Sequence, residues 1–119
     1  MPDPLPVLDP QPLQDLLEMG AEPGLVRELV GLLEADAPAR LTALRKALAD
    51  EDKGVASPEA HQLKGALGTL GLMRFADLTR QLEEYLQEGR WNEARSLSET
   101  FPTAYEEALA ALRSAFPEN

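Results

Sequence analysis

The sequence predicts an all-α fold: an antiparallel up-down four-helix bundle with a short extra N-terminal helix. Leu and Ala supply most of the apolar residues, Ile is absent and Val is scarce. This composition favours helix over strand. Apolar residues recur every three or four positions, and no segment shows the apolar-polar alternation of a surface strand. Because long helices joined by short loops pack antiparallel, we expect an up-down order.

The chain has 119 residues, enough for one hydrophobic core. Residues 1–8 are rich in proline and are predicted to be a flexible N-terminus, whereas residues 9–116 form the single domain. A formal net charge of −10 argues against binding to nucleic acid or anionic lipid. The sequence has no secretory signal and no apolar run near the roughly 18 residues of a membrane span. We therefore expect a cytoplasmic protein that binds no membrane.

Two helices are predicted in the first part of the chain. Asp9 caps a short helix that starts at Pro10 and stops at Gly20. Pro23 opens a longer helix, and Pro38 should kink it without ending it, because the apolar stripe continues in phase. The residues expected to face the core are Leu13, Leu16 and Leu17 in the short helix, and Val26, Val30, Leu33, Ala37, Leu41, Leu44 and Leu48 in the long one.

The start of the next helix has two possible positions. Residues 50–56 are acidic and are predicted to be a linker. We favour Ser57 as the N-cap, with Pro58 at the first helical position. In the alternative, the helix begins earlier and Pro58 kinks it. The helix should run to about Leu70, where Gly71 interrupts or bends it.

Two more helices, each with one apolar face, are predicted in the last third of the chain. The first helix there ends near Gly89, and the second begins at Trp91 and should be kinked or split by Pro102. The expected core residues are Phe75, Leu78, Leu82, Tyr85 and Leu86 in the first helix, and Ala94, Leu97, Phe101, Tyr105, Ala108 and Leu112 in the second.

His61, the only histidine, is predicted to face solvent. On a helical wheel it lies opposite the apolar residues of its own helix. Gly65 and Gly68 follow at i+4 and i+7 on its face, although each glycine costs about 1 kcal/mol in a helix interior relative to alanine. The opposite, core-facing side carries Leu63, Leu67 and Leu70.

The glycine pair has two possible explanations. Another helix could pack closely against it, or the active site of another macromolecule could press against the helix and reach the imidazole. We favour access, because the apolar residues lie on the opposite side. A neutral imidazole can attack phosphorus, and Lys64 at i+3 could offset charge on the phosphoryl oxygens. General acid-base catalysis is a second possible role, but a convex helix suits transfer between proteins better.

The segment HQLKGALGTLG, residues 61–71, closely resembles the signature of histidine phosphotransfer (HPt) domains of two-component phosphorelays. That signature has the histidine, lysine at i+3, glycine at i+4, small residues near i+7 and glycine at i+10. The resemblance implies that His61 is the phosphoacceptor, through the nitrogen farther from the backbone. It also implies that Lys64 is an electrostatic helper, and that the partner docks on Gln62, Gly65 and Gly68.

The resemblance extends to Glu83, which lies at i+22 from His61. In some HPt domains a Gln or Glu at this position hydrogen-bonds the inner ring nitrogen and fixes the tautomer. The alternative is a solvated surface glutamate. Pro58, three residues before His61, departs from the usual family pattern.

The resemblance implies a phosphocarrier and not an enzyme, since the sequence has no P-loop and no glycine-rich nucleotide lid. The expected partners are a response-regulator receiver domain, a hybrid histidine kinase, or both, and the protein is expected to be a monomer. No cofactor or metal site is expected, and any Mg²⁺ belongs to the receiver. Two alternatives stay open: the phosphoacceptor domain of a chemotaxis-type kinase, and a helical interaction module in which His61 is never phosphorylated.

Overall fold

The computed structural model describes residues 5–22 and 24–117, and every regular element within these ranges is an α-helix. This confirms the predicted all-α class. No helix in these ranges has both the length and the apolar character needed to cross a bilayer. The helices are α1 (Gln11–Glu18), α2 (Leu25–Ala49), α3 (Lys53–Thr69), α4 (Met73–Gln87), α5 (Trp91–Ser98) and α6 (Phe101–Ala115).

One hydrophobic core lies between the long helices. Both α2 and α4 contact α3, α5 and α6, so these helices surround a shared interior. Phe75 from α4 and Phe101 from α6 meet edge to face, with ring centroids 5.4 Å apart. The antiparallel up-down order of a four-helix bundle stays a prediction. Among the largest side chains that are fully buried are Leu13, Leu44, Leu48, Leu67, Leu82, Leu86 and Leu112.

The predicted core faces are buried or partly buried with one exception, Leu16 on α1, which is 42% exposed. The short α1 helix buries Leu13 and packs through Leu17, one turn later. Leu16 lies at the border of that narrow face. The prediction that Leu16 belongs to the core is therefore wrong.

The segment before α1 is attached to the turn between α3 and α4. The Asp9 carboxylate accepts a hydrogen bond from the Gln11 N–H at 3.0 Å, so it caps the first turn as predicted, although the helix begins one residue after Pro10. The Asp9 N–H donates to the Gly71 carbonyl at 2.7 Å, and Arg74 Nε donates to the Leu5 carbonyl at 2.9 Å. Residues 1–4 lie outside the described ranges, and the predicted flexibility of residues 1–8 stays a prediction.

Gly71 has to be a glycine for two reasons. Its φ is +78°, in the left-handed region that side chains rarely adopt. A Cβ placed there would also lie 2.2 Å from the Asp9 carbonyl oxygen. Glycine thus allows both the turn after α3 and the close approach of the N-terminal segment.

The α2 helix passes through Pro38 without ending, as its continuous apolar stripe predicts. It begins at Leu25 after Gly24, whose φ is +92°. The residue predicted to open it, Pro23, lies outside the described ranges.

The linker predicted over residues 50–56 is confirmed only for residues 50–52, and the prediction of Ser57 as the N-cap is wrong. Helix α3 begins at Lys53, where the Asp52 carboxylate accepts a hydrogen bond from the Val55 N–H at 3.3 Å, and Pro58 lies inside the helix. The earlier start has a physical reason. Ala56 is fully buried on the same face as Ala60, so the additional turn contributes to the core despite the cost of an internal proline.

Pro102 splits the last predicted helix in two. Helix α5 ends at Ser98, and α6 begins at Phe101 with Pro102 in its first turn. At that position the missing N–H removes no helical hydrogen bond. The split confirms one of the two outcomes expected for this proline.

Candidate functional site

His61 lies on α3 with its side chain 74% exposed. The opposite side of the helix carries Leu63, Leu67 and Leu70, all of which are buried. The helical-wheel prediction of an outward-facing imidazole is thereby confirmed. The histidine stands on the convex surface of a helix, where a partner can approach it.

Gly65 and Gly68 are both exposed on the same helix. A Cβ built on either glycine would find no atom within 4 Å beyond its own helical backbone. No described helix packs against them, so close helix packing does not explain the pair. Their effect is to leave the surface near His61 free of side chains.

Glu83 reaches His61 from α4. Its Oε2 lies 3.6 Å from His61 Nδ1, and its side chain is only 21% exposed. The hydrogen bond expected between them is not formed at this distance, but the carboxylate faces the inner ring nitrogen and favours the tautomer that carries its proton on Nδ1. Nε2, the other ring nitrogen, makes no hydrogen bond or ion pair with any described residue and is left available for chemistry.

Lys64 also meets Glu83. Its Nζ lies 3.2 Å from Glu83 Oε1 and forms an ion pair there, although its direction does not satisfy hydrogen-bond geometry. Glu83 Oε1 is buried and accepts no hydrogen bond from the described residues, so the ammonium is the charge that compensates it. The sequence predicted both residues separately but not that one carboxylate joins Lys64 to His61.

A comparison with family models identifies the Hpt domain over residues 28–115. The chain belongs to the Hpt domain family. The matched range contains His61, Lys64 and Glu83 and leaves out α1. Hpt domains act in histidine phosphotransfer in two-component signalling, with receiver and kinase partners. Neither a search of curated proteins nor a search of solved structures found a match.

Two depressions flank the histidine of this Hpt domain. On the α4 side, a small hollow is lined by Ser57, Pro58, His61, Glu83 and Gln87. On the α2 side, a mostly apolar groove runs between α2 and α3. Its lining includes Leu29, Leu32, Leu33, Ala37, Leu63, Ala66 and Leu70, with Asp36, Arg40, Gln62 and Thr69 as polar members.

Gln62, the remaining residue expected to contact a partner, is exposed and held by Arg40. Arg40 Nη1 donates to Gln62 Oε1 at 2.9 Å, and its Nε donates to Asp36 Oδ2 at 2.5 Å. The hydrogen bond with Asp36 raises the pKa of Arg40, so the guanidinium stays charged. Sequence analysis missed Arg40. The available signal was its position at the edge of the α2 stripe, three residues after Ala37.

Proposed function

We propose that this Hpt domain accepts a phosphoryl group on His61 from a receiver aspartate or a histidine kinase and passes it to a response regulator. The observation that carries the proposal is an exposed imidazole whose inner nitrogen faces a carboxylate and whose outer nitrogen has no partner among the described residues. An imidazole oriented in this way presents one lone pair outward. That lone pair is the nucleophile the reaction needs.

The transfer follows from this orientation. The Nε2 lone pair attacks the phosphorus of an aspartyl phosphate, and the N–P bond forms as the bond from phosphorus to the carboxyl oxygen breaks. The aspartate leaves as a carboxylate. The imidazole keeps its proton on Nδ1 and becomes cationic, and the nearby Glu83 carboxylate offsets that charge. Attack by an aspartate of the next receiver reverses these steps.

Lys64 and Glu83 have complementary roles in this proposal. Glu83 holds the proton-bearing side of the imidazole, and Lys64 places a cation beside a histidine that must carry a phosphoryl group. The domain acts as a phosphocarrier, since its residues contain no P-loop and no glycine-rich nucleotide lid. Mg²⁺ chemistry belongs to the receiver.

The docking surface for the receiver comprises Gln62, Gly65, Gly68 and the apolar groove beside them. Gln62 is part of both the histidine face and the groove, so the two surfaces are continuous. Exposed apolar residues next to a nucleophile suit a protein partner that brings its own active-site cavity. We propose that the domain meets this partner as a monomer in the cytoplasm.

The test is a phosphotransfer profile of the chain against phosphorylated receivers and histidine kinases, with His61→Gln as the control. The variant should lose all labelling while its free energy of unfolding stays within about 0.5 kcal/mol of wild type, since the side chain is exposed. Label on the wild type should be lost in acid and persist in base, as for a phosphoramidate. Labelling of His61→Gln, or an acid-stable label, would contradict the assignment.

One observation favours a second candidate, the phosphoacceptor domain of a chemotaxis-type kinase. The segment KGALGTLG, residues 64–71, together with Glu83 also resembles such domains, and Glu83 lies close to both His61 and Lys64. In that case an ATP-dependent kinase core would phosphorylate His61, and phosphorylated receivers would not. A third outcome, receiver binding without any labelling, would indicate an interaction module.

A further inference from the structure

We propose that Arg40 is a positioning residue for this phosphotransfer: from α2, it holds the turn of α3 that carries His61. The effect of Arg40 on phosphotransfer rests on the proposed function. Its structural part, a clamp between two helices, stands on the contacts of Arg40 alone. The two parts can therefore fail separately.

The turn of α3 that Arg40 contacts, residues 59–62, follows the internal proline Pro58. Pro58 has no N–H, so the Gly54 carbonyl one turn earlier receives no helical hydrogen bond from it, and the proline ring crowds that carbonyl. The helix is therefore weakest just before the residues that present His61. Contacts from another helix are needed to fix the direction of this turn.

Arg40 supplies such contacts on both sides of His61 in the sequence. Its Nη1 donates to Gln62 Oε1 at 2.9 Å and lies 3.7 Å from Glu59 Oε2. Glu59 and Gln62 are three residues apart, so both lie on the side of α3 that faces α2. One guanidinium thus spans the first turn after Pro58.

Arg40 also compensates the negative charge of the Glu59 carboxylate. Glu59 Oε2 is buried and accepts no hydrogen bond from the described residues, and Arg40 is the only described cation within 4 Å of it. Asp36 in turn fixes the guanidinium through Nε. Loss of Arg40 would leave a buried carboxylate oxygen without compensation, which favours movement of this turn toward water.

Arg80 provides a matched control. It also contacts two acidic residues, Asp77 and Glu84, but both belong to its own helix, α4. Replacing Arg80 by Met removes a surface arginine of comparable exposure without removing any link between helices. Arg40→Met and Arg80→Met therefore differ in whether the connection between α2 and α3 is lost.

The first measurement is amide hydrogen exchange on the full chain. In Arg40→Met, exchange at residues 59–62 should be about tenfold faster than in wild type, while residues of α4 are unchanged. Arg80→Met should leave residues 59–62 unchanged. If Arg40→Met does not fold, Gln62→Ala removes only the 2.9 Å hydrogen bond and should speed exchange at the same residues less strongly. If Arg40→Met folds, unchanged exchange at residues 59–62 would overturn the clamp. If it does not fold, unchanged exchange at these residues in Gln62→Ala would do so.

The second measurement compares two phosphodonors. Transfer from a saturating concentration of phosphorylated receiver to Arg40→Met should slow by about tenfold, because the imidazole is displaced from its docked position. Loss of a docking contact alone would raise the receiver concentration needed for half-maximal transfer and leave the saturated rate unchanged. Labelling by phosphoramidate, which needs no docking, should stay within about twofold. Equal loss with both donors, or none with the receiver, would overturn the positioning role. A wild type that is never labelled on His61 would instead overturn the proposed function, with the exchange result still deciding the clamp.

Discussion

At the scale of single residues, the site contains one carboxylate that faces both the imidazole of His61 and the ammonium of Lys64. Glu83 lies against His61 Nδ1 with one oxygen and against Lys64 Nζ with the other. The ion pair with Lys64 restricts the rotation of Glu83, and we expect this restriction to favour one orientation of the imidazole. We therefore expect Lys64 to act on His61 through Glu83 as well as through its own charge.

Lys64→Ala should slow phosphotransfer by roughly tenfold without abolishing labelling of His61, because it removes a cation and not the nucleophile. Rates of transfer from a phosphorylated receiver, with saturating donor, measure the effect. Lys46→Ala is the control, since Lys46 lies on the surface at the end of α2 and pairs with Asp50, the residue that follows this helix. Equal rates for Lys64→Ala and wild type would mean that Lys64 plays no part in the transfer.

At the scale of the helix, α3 has a buried face that packs in the core and an opposite, exposed face that carries His61. The buried face is continuous from Ala56 to Leu67, and this continuity explains why the helix accepts Pro58 in its interior. On the exposed face, Gly65 and Gly68 lower the helix propensity, and neither makes a packing contact with the part of the chain that the structure describes. We attribute that loss to partner access.

Gly68→Gln should separate access from packing. Since a side chain there meets no described neighbour, the fold should be unchanged or more stable by up to about 1 kcal/mol. Transfer from a receiver should fall strongly, because the new side chain lies in the docking surface, while labelling by phosphoramidate stays nearly constant. Thermal unfolding and the two rates measure these effects.

Gly31→Gln on α2 is the matched control for this prediction. Gly31 is likewise exposed and would find no neighbour within 4 Å of an added Cβ, but it is not part of the groove beside His61. It should gain similar stability without loss of receiver transfer. A destabilised Gly68→Gln that reacts poorly with both donors would show that this face of α3 packs against something.

At the scale of the whole molecule, the N-terminal segment and the turn between α3 and α4 are connected through Gly71. The segment hydrogen-bonds to the Gly71 carbonyl through Asp9, and it is tied to α4 through Arg74. The end of the histidine helix is thus fixed by a part of the chain that precedes the matched Hpt region.

Gly71→Ala should destabilise the protein by more than Gly89→Ala. Both glycines have a positive φ, so each substitution costs about 1–2 kcal/mol of backbone strain. Only at Gly71 would the Cβ collide with backbone, at the Asp9 carbonyl, whereas at Gly89 the space is open. Urea unfolding of both variants measures the difference. Equal destabilisation would show that the N-terminal segment adds nothing to the fold.

The sequence by itself determined the helical class, the core faces of the long helices and the outward direction of His61. These depend on the spacing of apolar residues along one helix, which is a local property. It also indicated the candidate site, because the histidine, the lysine and the two glycines occur within one short segment, and their roles stay predictions.

Only the tertiary structure decided the beginning of α3, the exposure of Leu16 and the partners of Lys64 and Gln62. The apolar contribution of Ala56 outweighs the local preference for a cap at Ser57, and that contribution exists only once the other helices cover it. The contacts of Glu83 with Lys64, and of Arg40 with Gln62, join side chains on different helices. Such contacts depend on the distance and rotation between packed helices, which the spacing of residues along a single helix does not specify.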